Sequence, residues 1–167
     1  QMAALGTITD VTPLVRENRY IVSAGIDSMN KNPIPGIREL LKLGGQSRSK
    51  VDTESISFVI GPRINAAGRL DHAMTSYNLL RANSNDEAYK IAQELDRLNQ
   101  VRREITSDSM ILAMEKIKQF DESTKIIVMW DQNFNPGTAG LIASRISEKY
   151  YRPSIVISLE NGIGRGS

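Results

Sequence analysis

Lys125-Ile126-Ile127-Val128-Met129-Trp130 and Ser154-Ile155-Val156-Ile157-Ser158 are two short apolar runs separated by a stretch of helical periodicity. The first reads as a buried strand, and Asp131-Gln132-Asn133-Phe134-Asn135-Pro136-Gly137 as the loop that leaves it. Residues 138–150 read as a helix with Ala139, Ile142, Ala143 and Ile146 inward. Strand, helix, strand in that order is a βαβ unit, which predicts a parallel pair with a right-handed crossover and an α/β fold class. In open α/β sheets ligands lie beyond the carboxyl ends of the strands. Asn135-Pro136-Gly137 sits there, with Pro136 suited to the first turn of the helix. Gly162-Ile163-Gly164-Arg165-Gly166-Ser167 follows the second strand, so both segments could face one anionic site beside a helix N-terminus. The GxGxGS spacing is a weak signal, because a dinucleotide-binding loop also needs a helix directly after it.

Working towards the N-terminus, Ser84-Asn85-Asp86-Glu87 fits a capping box, with Ser84 as N-cap and Glu87 reaching back. No Gly or Pro interrupts residues 85–120, and Ile91, Leu98, Ile105 and Leu112 fall seven apart, with Ala88 and Leu95 on the same stripe. The pattern predicts one helix of roughly 50 Å. Its stripe is narrow and its flanks are charged, which suits a helix that bridges two domains. The competing reading is a coiled-coil dimer, which Arg102 and Ser109 on the stripe disfavour.

Further upstream, apolar residues at Ile21, Val22, Ile26 and Met29 predict a helix over 18–29, and Ile37, Leu40 and Leu41 a short one over 36–43, ended by Gly44-Gly45. Residues 46–50 read as a polar, basic linker, 55–60 as a strand, and 73–82 as a short helix. Between these last two lies Gly61-Pro62-Arg63-Ile64-Asn65-Ala66-Ala67-Gly68-Arg69, which reads as a loop, because Gly and Pro break regular structure. Its alanines leave room for an approaching group, and its two guanidiniums suit phosphate. The bland reading is a turn whose arginines are solvated or paired with Asp71 and Asp52; composition does not choose between the two. The start at Gln1-Met2-Ala3-Ala4-Leu5-Gly6-Thr7-Ile8 and the glycine-rich end read as cuts within a longer protein.

Composition mainly excludes. A net charge of +2 over 167 residues gives no global polyelectrolyte argument, so nucleic-acid binding would need a local patch. The absence of cysteine removes disulfides, thiolate metal sites and cysteine nucleophiles, and fits a reducing cytoplasm. A single histidine rules out a multi-histidine metal site built from these residues. No apolar run approaches a membrane span and no signal peptide opens the chain.

Four segments occur together and in order. They are Ala4-Leu5-Gly6-Thr7-Ile8-Thr9-Asp10-Val11-Thr12-Pro13-Leu14, the arginine segment 61–69, Leu95-Asp96-Arg97-Leu98-Asn99 with Arg102-Arg103-Glu104, and Ala143-Ser144-Arg145-Ile146 with Arg152-Pro153. In these the chain resembles the RecJ family of single-strand-specific 5′→3′ exonucleases, within the DHH phosphoesterase superfamily. The resemblance runs over essentially the whole chain. It implies that residues 1–45 close a DHH catalytic domain, 46–83 form a linker with the arginine loop, 84–120 are the bridging helix, and 121–167 begin a DHH-associated nucleic-acid-binding domain.

The resemblance also implies roles. Asp10 matches an aspartate that ligates one of two catalytic Mn²⁺ or Mg²⁺ ions. Arg63, Asn65 and Arg69 match a loop facing the DNA cleft. Gly164, Gly166 and Ser167 match the start of a GxGSxR motif that binds the substrate strand. Asn135 stands where the family usually has histidine, so its role there loses the charge, and Thr9 and Thr12 replace the usual small or apolar neighbours of Asp10. His72 matches no motif and reads as a surface or helix-capping residue. The implied partners are single-stranded DNA and a single-stranded-DNA-binding protein or a helicase, with no membrane, in repair and recombination. Asp10 alone cannot hold two ions, so the fragment itself is expected to be inactive. Two alternatives stay open: another DHH-family phosphodiesterase acting on short oligonucleotides or cyclic dinucleotides, and a non-catalytic DNA-binding relative.

Overall fold

The computed structural model describes residues 1–46 and 50–167, and it divides into two compact units, Gln1–Asn99 and Gln100–Ser167. All the regular elements described in the first are helical. Helix α1 (Met2–Thr9) packs on α2 (Arg16–Lys31), where Gly25 leaves room for the Ala4 methyl. Helix α3 (Pro35–Leu43) opens on a proline in its first turn and closes at Gly44, with Gly45 left-handed at φ 74°. Ile37 and Leu40 from α3 are fully buried, as expected from their spacing. The linker read at residues 46–50 falls mostly on positions 47–49, which lie outside the described residues.

The strand expected at 55–60 and the loop expected after it are both helical. Ser55–Ile60 is a π-helical turn that runs straight into α4 (Gly61–Leu70). Two local features override the β-branched composition. The Asp52 carboxylate accepts bonds from the Ser55 N–H and hydroxyl, both at 2.8 Å, and caps a helix start. These bonds hold the Asp52 carboxyl below its ordinary range. Pro62 lies in the first turn of α4, the one place where a missing N–H is harmless. The wider π register just before it, with the Gly61 N–H bonded to the Ile56 carbonyl, takes up the join. Ile56 and Ile60 thereby reach the core, both at 0% exposure, as residues four apart on one helix face. Helix α5 (Met74–Arg81) follows, and the His72 Nδ1 accepts the Met74 N–H at its start.

Helix α6 (Asn85–Lys116) is a single element about 48 Å long at 1.5 Å per residue. The Ser84 hydroxyl accepts the Glu87 N–H at 3.2 Å, and the Glu87 carboxylate accepts the Asn83 N–H at 3.1 Å. Its buried seam is the expected one only in the first half. Ala88, Leu95 and Leu98 are buried, but Ile91, Ile105 and Leu112 are only half-buried; Ala92 joins the seam, which continues through Asn99, Thr106, Ser109 and Ala113. The Thr106 hydroxyl is satisfied within the helix by the Arg102 carbonyl at 2.7 Å, which makes its burial tolerable. A 3₁₀ turn (Ile117–Gln119) ends the run.

The second unit contains the predicted βαβ. Strands β1 (Ile127–Asp131) and β2 (Ser154–Glu160) pair in parallel, with α7 (Ala139–Tyr150) between them in sequence. The four inward residues of α7 are those read from the sequence. Strand β1 is buried on one face only: Ile127 and Met129 lie in the core while Trp130 is 58% exposed. The glycine-rich end is not a loop. Asn161 and Gly162 form a turn at positive φ, and β3 (Ile163–Gly166) folds back antiparallel on β2, giving the order β1-β2-β3.

Asp131, at the end of β1, pairs with Lys116 at 2.8 Å and accepts the Asn133 N–H at 2.9 Å. The Lys116 ammonium first, then the Asn133 bond, hold its carboxyl below the ordinary value of 3.8. A lowered folded value stabilises above the unfolded pKa and loses that contribution as pH falls through the folded one. Asp131→Asn is therefore expected to cost about 1–2 kcal/mol near neutrality. The difference from the unaltered chain should close below pH 3.8, in thermal unfolding followed across the acid limb.

Candidate nucleic-acid interface

Asp10 is the C-cap residue of α1 and is exposed. The chain leaves the helix through a left-handed cap: the Val11 N–H bonds the Ile8 carbonyl, and the Thr12 N–H bonds the Thr7 carbonyl. The residue in the left-handed position is Val11, at φ 54°, where glycine is usual. A β-branched residue in this region is strained. The cap fixes the backbone carrying Asp10, and Val11, 87% exposed, adds nothing to the core in return.

Thr9, beside Asp10, meets the arginine helix. Its hydroxyl bonds back to the Leu5 carbonyl at 2.9 Å, which turns its methyl outward. That methyl lies against Gly61: a Cβ there would stand 2.8 Å from Thr9 Cγ2 and 3.0 Å from the Ile56 carbonyl oxygen. The absence of a side chain at 61 thus sets the end of α1 against the start of α4.

Helix α4 separates the three residues picked out together in the sequence. At about 100° per residue, Asn65 and Arg69 share a face, and Arg63 points about 200° away from Asn65. Asn65 and Arg69 are exposed. The Arg63 side chain is 14% exposed; its Nε donates to Asp96 Oδ1 on α6 at 2.7 Å and its Nη1 to the Val59 carbonyl at 2.8 Å. Its partner is thus neither Asp71 nor Asp52. Ala66 and Ala67 are fully buried against the unit core, so they serve close helix packing and leave no open space for a ligand.

In the second unit Asn135 is tied to its own turn. Its Oδ1 accepts the Gly137 N–H at 2.8 Å, and its carbonyl accepts the Thr138 and Ala139 N–H groups at the entry to α7. Ser167 reaches the same end of α7, because a Cβ at Gly140 would stand 3.0 Å from the Ser167 hydroxyl. Ser167 and Val156 exchange both backbone bonds. Antiparallel alternation then turns the N–H groups of Gly164 and Gly166 away from β2. Glycine is required at 166 because a Cβ would stand 2.9 Å from both Ile157 Cγ1 and the Val156 carbonyl oxygen. Asn135 and Ser167 therefore flank one helix N-terminus, a favourable place for an anion.

Sequence reasoning missed Asp96 as the partner of Arg63, although it lies in the motif segment 95–99. It also missed a groove of about 500 Å³ in the second unit, lined by Arg102, Arg103, Lys118 and Arg145 with Met110 and Met114. Among the described residues no three His, Cys, Asp or Glu side chains come together as a metal site. Asp10 can offer one oxygen ligand, but the described residues do not fit a two-ion centre. No described helix is long and apolar enough to cross a membrane.

The chain is 36% identical over 168 residues to the single-stranded-DNA-specific exonuclease RecJ of Bacillus subtilis, covering 99% of this chain and 21% of that protein. It is 35% identical over 162 residues to the Escherichia coli protein of the same name, covering 94% and 28%. It superposes on a crystal structure of RecJ from Thermus thermophilus in complex with Mn²⁺ with a TM-score of 0.82 at 33% identity, over 93% of this chain and 23% of that one. No protein-family model matches. The chain thus spans less than a third of the length of these relatives, and its mostly helical architecture with a small sheet is that of a region of RecJ.

Two substitutions test the geometry around Asp10. Gly61→Ala is expected to destabilise by about 1–2 kcal/mol despite the better helix propensity of alanine, with partial recovery when Thr9→Ala is added. Val11→Gly is expected to stabilise by about 0.5–1 kcal/mol through relief of the left-handed strain. Urea unfolding of the variants measures both.

Proposed function

We propose that this chain is an internal segment of a RecJ-type exonuclease, and that the longer protein hydrolyses the phosphodiester bonds of single-stranded DNA from the 5′ end. The observation that carries the reading is the extent of the similarity. Identity of 33–36% to RecJ proteins runs through nearly the whole chain, in both units and in order. That extent favours RecJ over other DHH-family phosphodiesterases. Residues 1–45 would then close the DHH domain, 46–83 would link it to the bridging helix of 84–120, and 121–167 would open the DHH-associated domain.

The division of labour follows the chemistry of each side chain. Asp10 supplies one carboxylate to a divalent-ion centre completed by residues outside this chain. RecJ structures hold Mn²⁺ or Mg²⁺, and such ions activate water and stabilise in-line displacement at phosphorus. Asn65 and Arg69 present a hydrogen-bonding group and a guanidinium to the strand backbone. Gly164 and Gly166 offer N–H groups, and Ser167 a hydroxyl, beside the N-terminus of α7. Asn135 shapes that turn through its own hydrogen bonds, a role that needs no charge and is compatible with loss of the family histidine. The reaction would serve repair and recombination in the cytoplasm, with a single-stranded-DNA-binding protein or a helicase delivering the strand.

The test uses the longer protein and this chain side by side, on 5′- and 3′-labelled single-stranded DNA with Mn²⁺. The longer protein is expected to release nucleotides from the 5′ end, and Asp10→Ala to slow release by about 100-fold or more. This chain alone is expected to release none. Unchanged release by Asp10→Ala would remove the ligand assignment, and metal-dependent cleavage by this chain alone would contradict its proposed dependence on the remainder.

A further inference from the structure

We infer that Arg63 and Asp96 form a positioning latch: Arg63 orients the exposed Asn65–Arg69 face of α4 for the DNA strand and does not itself hold a phosphate. This rests on the DNA reading above and assigns the first arginine of the segment a different task from the second.

Three observations carry it. The Arg63 side chain is 14% exposed, and two of its three nitrogens are already engaged, Nε with Asp96 at 2.7 Å and Nη1 with the Val59 carbonyl at 2.8 Å. A guanidinium that took a phosphate from this position would have to leave a carboxylate behind, half-buried at 34% exposure. Second, one bond leaves the helical run. The Val59 carbonyl, one turn back, holds the guanidinium in place, and Asp96 belongs to α6, so the planar fork ties the rotation of α4 about its own axis to α6. Third, rotation about that axis is what selects the outward face. Asn65 and Arg69 lie about 40° apart on it, with Arg63 on the opposite side.

The latch adds to contacts that are mostly non-directional. Gly61, Ala66 and Ala67 allow close approach but interdigitate little, while Ile64 and Leu70 are only partly buried against the core. Lysine at 63 could reach one acceptor but could not hold both in a plane.

The two readings of Arg63 differ in sign for Asp96. If Arg63 holds a phosphate, removing the competing carboxylate strengthens DNA binding. If Arg63 is a latch, removing Asp96 weakens it. The experiment compares this chain with its Arg63→Ala, Asp96→Ala, double and Arg69→Ala variants. It reads thermal midpoints, and affinity for a short oligothymidylate across a salt series at a temperature where every variant is folded.

The expected result is that Arg63→Ala, Asp96→Ala and the double variant share one lowered midpoint. Each should bind about fivefold more weakly, with the slope of log affinity against log salt unchanged, while Arg69→Ala lowers that slope by about 0.7. Tighter or equal binding by Asp96→Ala, with the slope lowered in Arg63→Ala, would overturn the proposal and make Arg63 a phosphate ligand. Additive midpoint losses would overturn it as well. Failure of the unaltered chain to bind the oligonucleotide would instead overturn the DNA reading of this chain, and the midpoints would still judge the latch.

Discussion

The first unit depends on a helix that meets a proline and continues. From the Asp52 cap to Leu70 the backbone stays helical because Pro62 falls where α4 begins and because a wider turn just before it absorbs the mismatch. Had the chain broken there, Ile56 and Ile60 would lose their place in the core, about 2–3 kcal/mol for each fully buried side chain. The same continuity carries Gly61, at the start of the arginine helix, to Thr9 beside Asp10 at the end of α1. The packing of this unit and the layout of its candidate site therefore share one cause.

Helix α6 makes a different compromise. Apart from Leu95 and Leu98, its seam is Ala88, Ala92, Thr106, Ser109 and Ala113, which bury little apolar area per residue and contribute less hydrophobic stabilisation than further leucines would. Small residues instead let neighbouring backbone come close, and the hydroxyl of Thr106 is satisfied without help from outside the helix. The first half of the helix joins the core of Leu40, Ile56 and Leu79, and the second half joins that of Met129, Ile142 and Val156. A continuous helix is a direct way for one stretch of chain to belong to two cores.

What the sequence made legible follows from where its information was local. Helix α7, with its inward Ala139, Ile142, Ala143 and Ile146, was readable because apolar residues recur at helical spacing between two short strands. The start of α6 was readable because its cap lies within four residues. The segment 55–60 misled because β-branched residues argue for a strand, while the opposing signal, Asp52 followed three residues later by Ser55, is a single polar pair. Ala88, Leu95 and Leu98 marked the first half of the seam of α6, but hydropathy hid the second, since threonine, serine and alanine do not register as a stripe. Of the candidate site, residue types were legible and relations were not. The partners of Arg63 and the contact of Thr9 with Gly61 join residues far apart in sequence, and no spacing rule reports them. The strand character of residues 163–166 was hidden because glycine at alternate positions looks like a loop until something packs over Ile157.

Among the described residues, strand β3 carries one row of amides that β2 does not use, and those amides can be used once. An edge is a template on which another strand can pair, and its N–H groups are also donors that an anion can claim. The two uses exclude each other: a neighbouring strand laid along β3 would consume the donors of Gly164 and Gly166, and a phosphate seated on them would block further growth of the sheet. Glycine at both positions weakens the strand as a pairing surface, having no side chains to offer a partner, and places no side chain over the donors. Glycine at alternate positions of β3 thus weakens the pairing of a further strand more than it would weaken the seating of an anion.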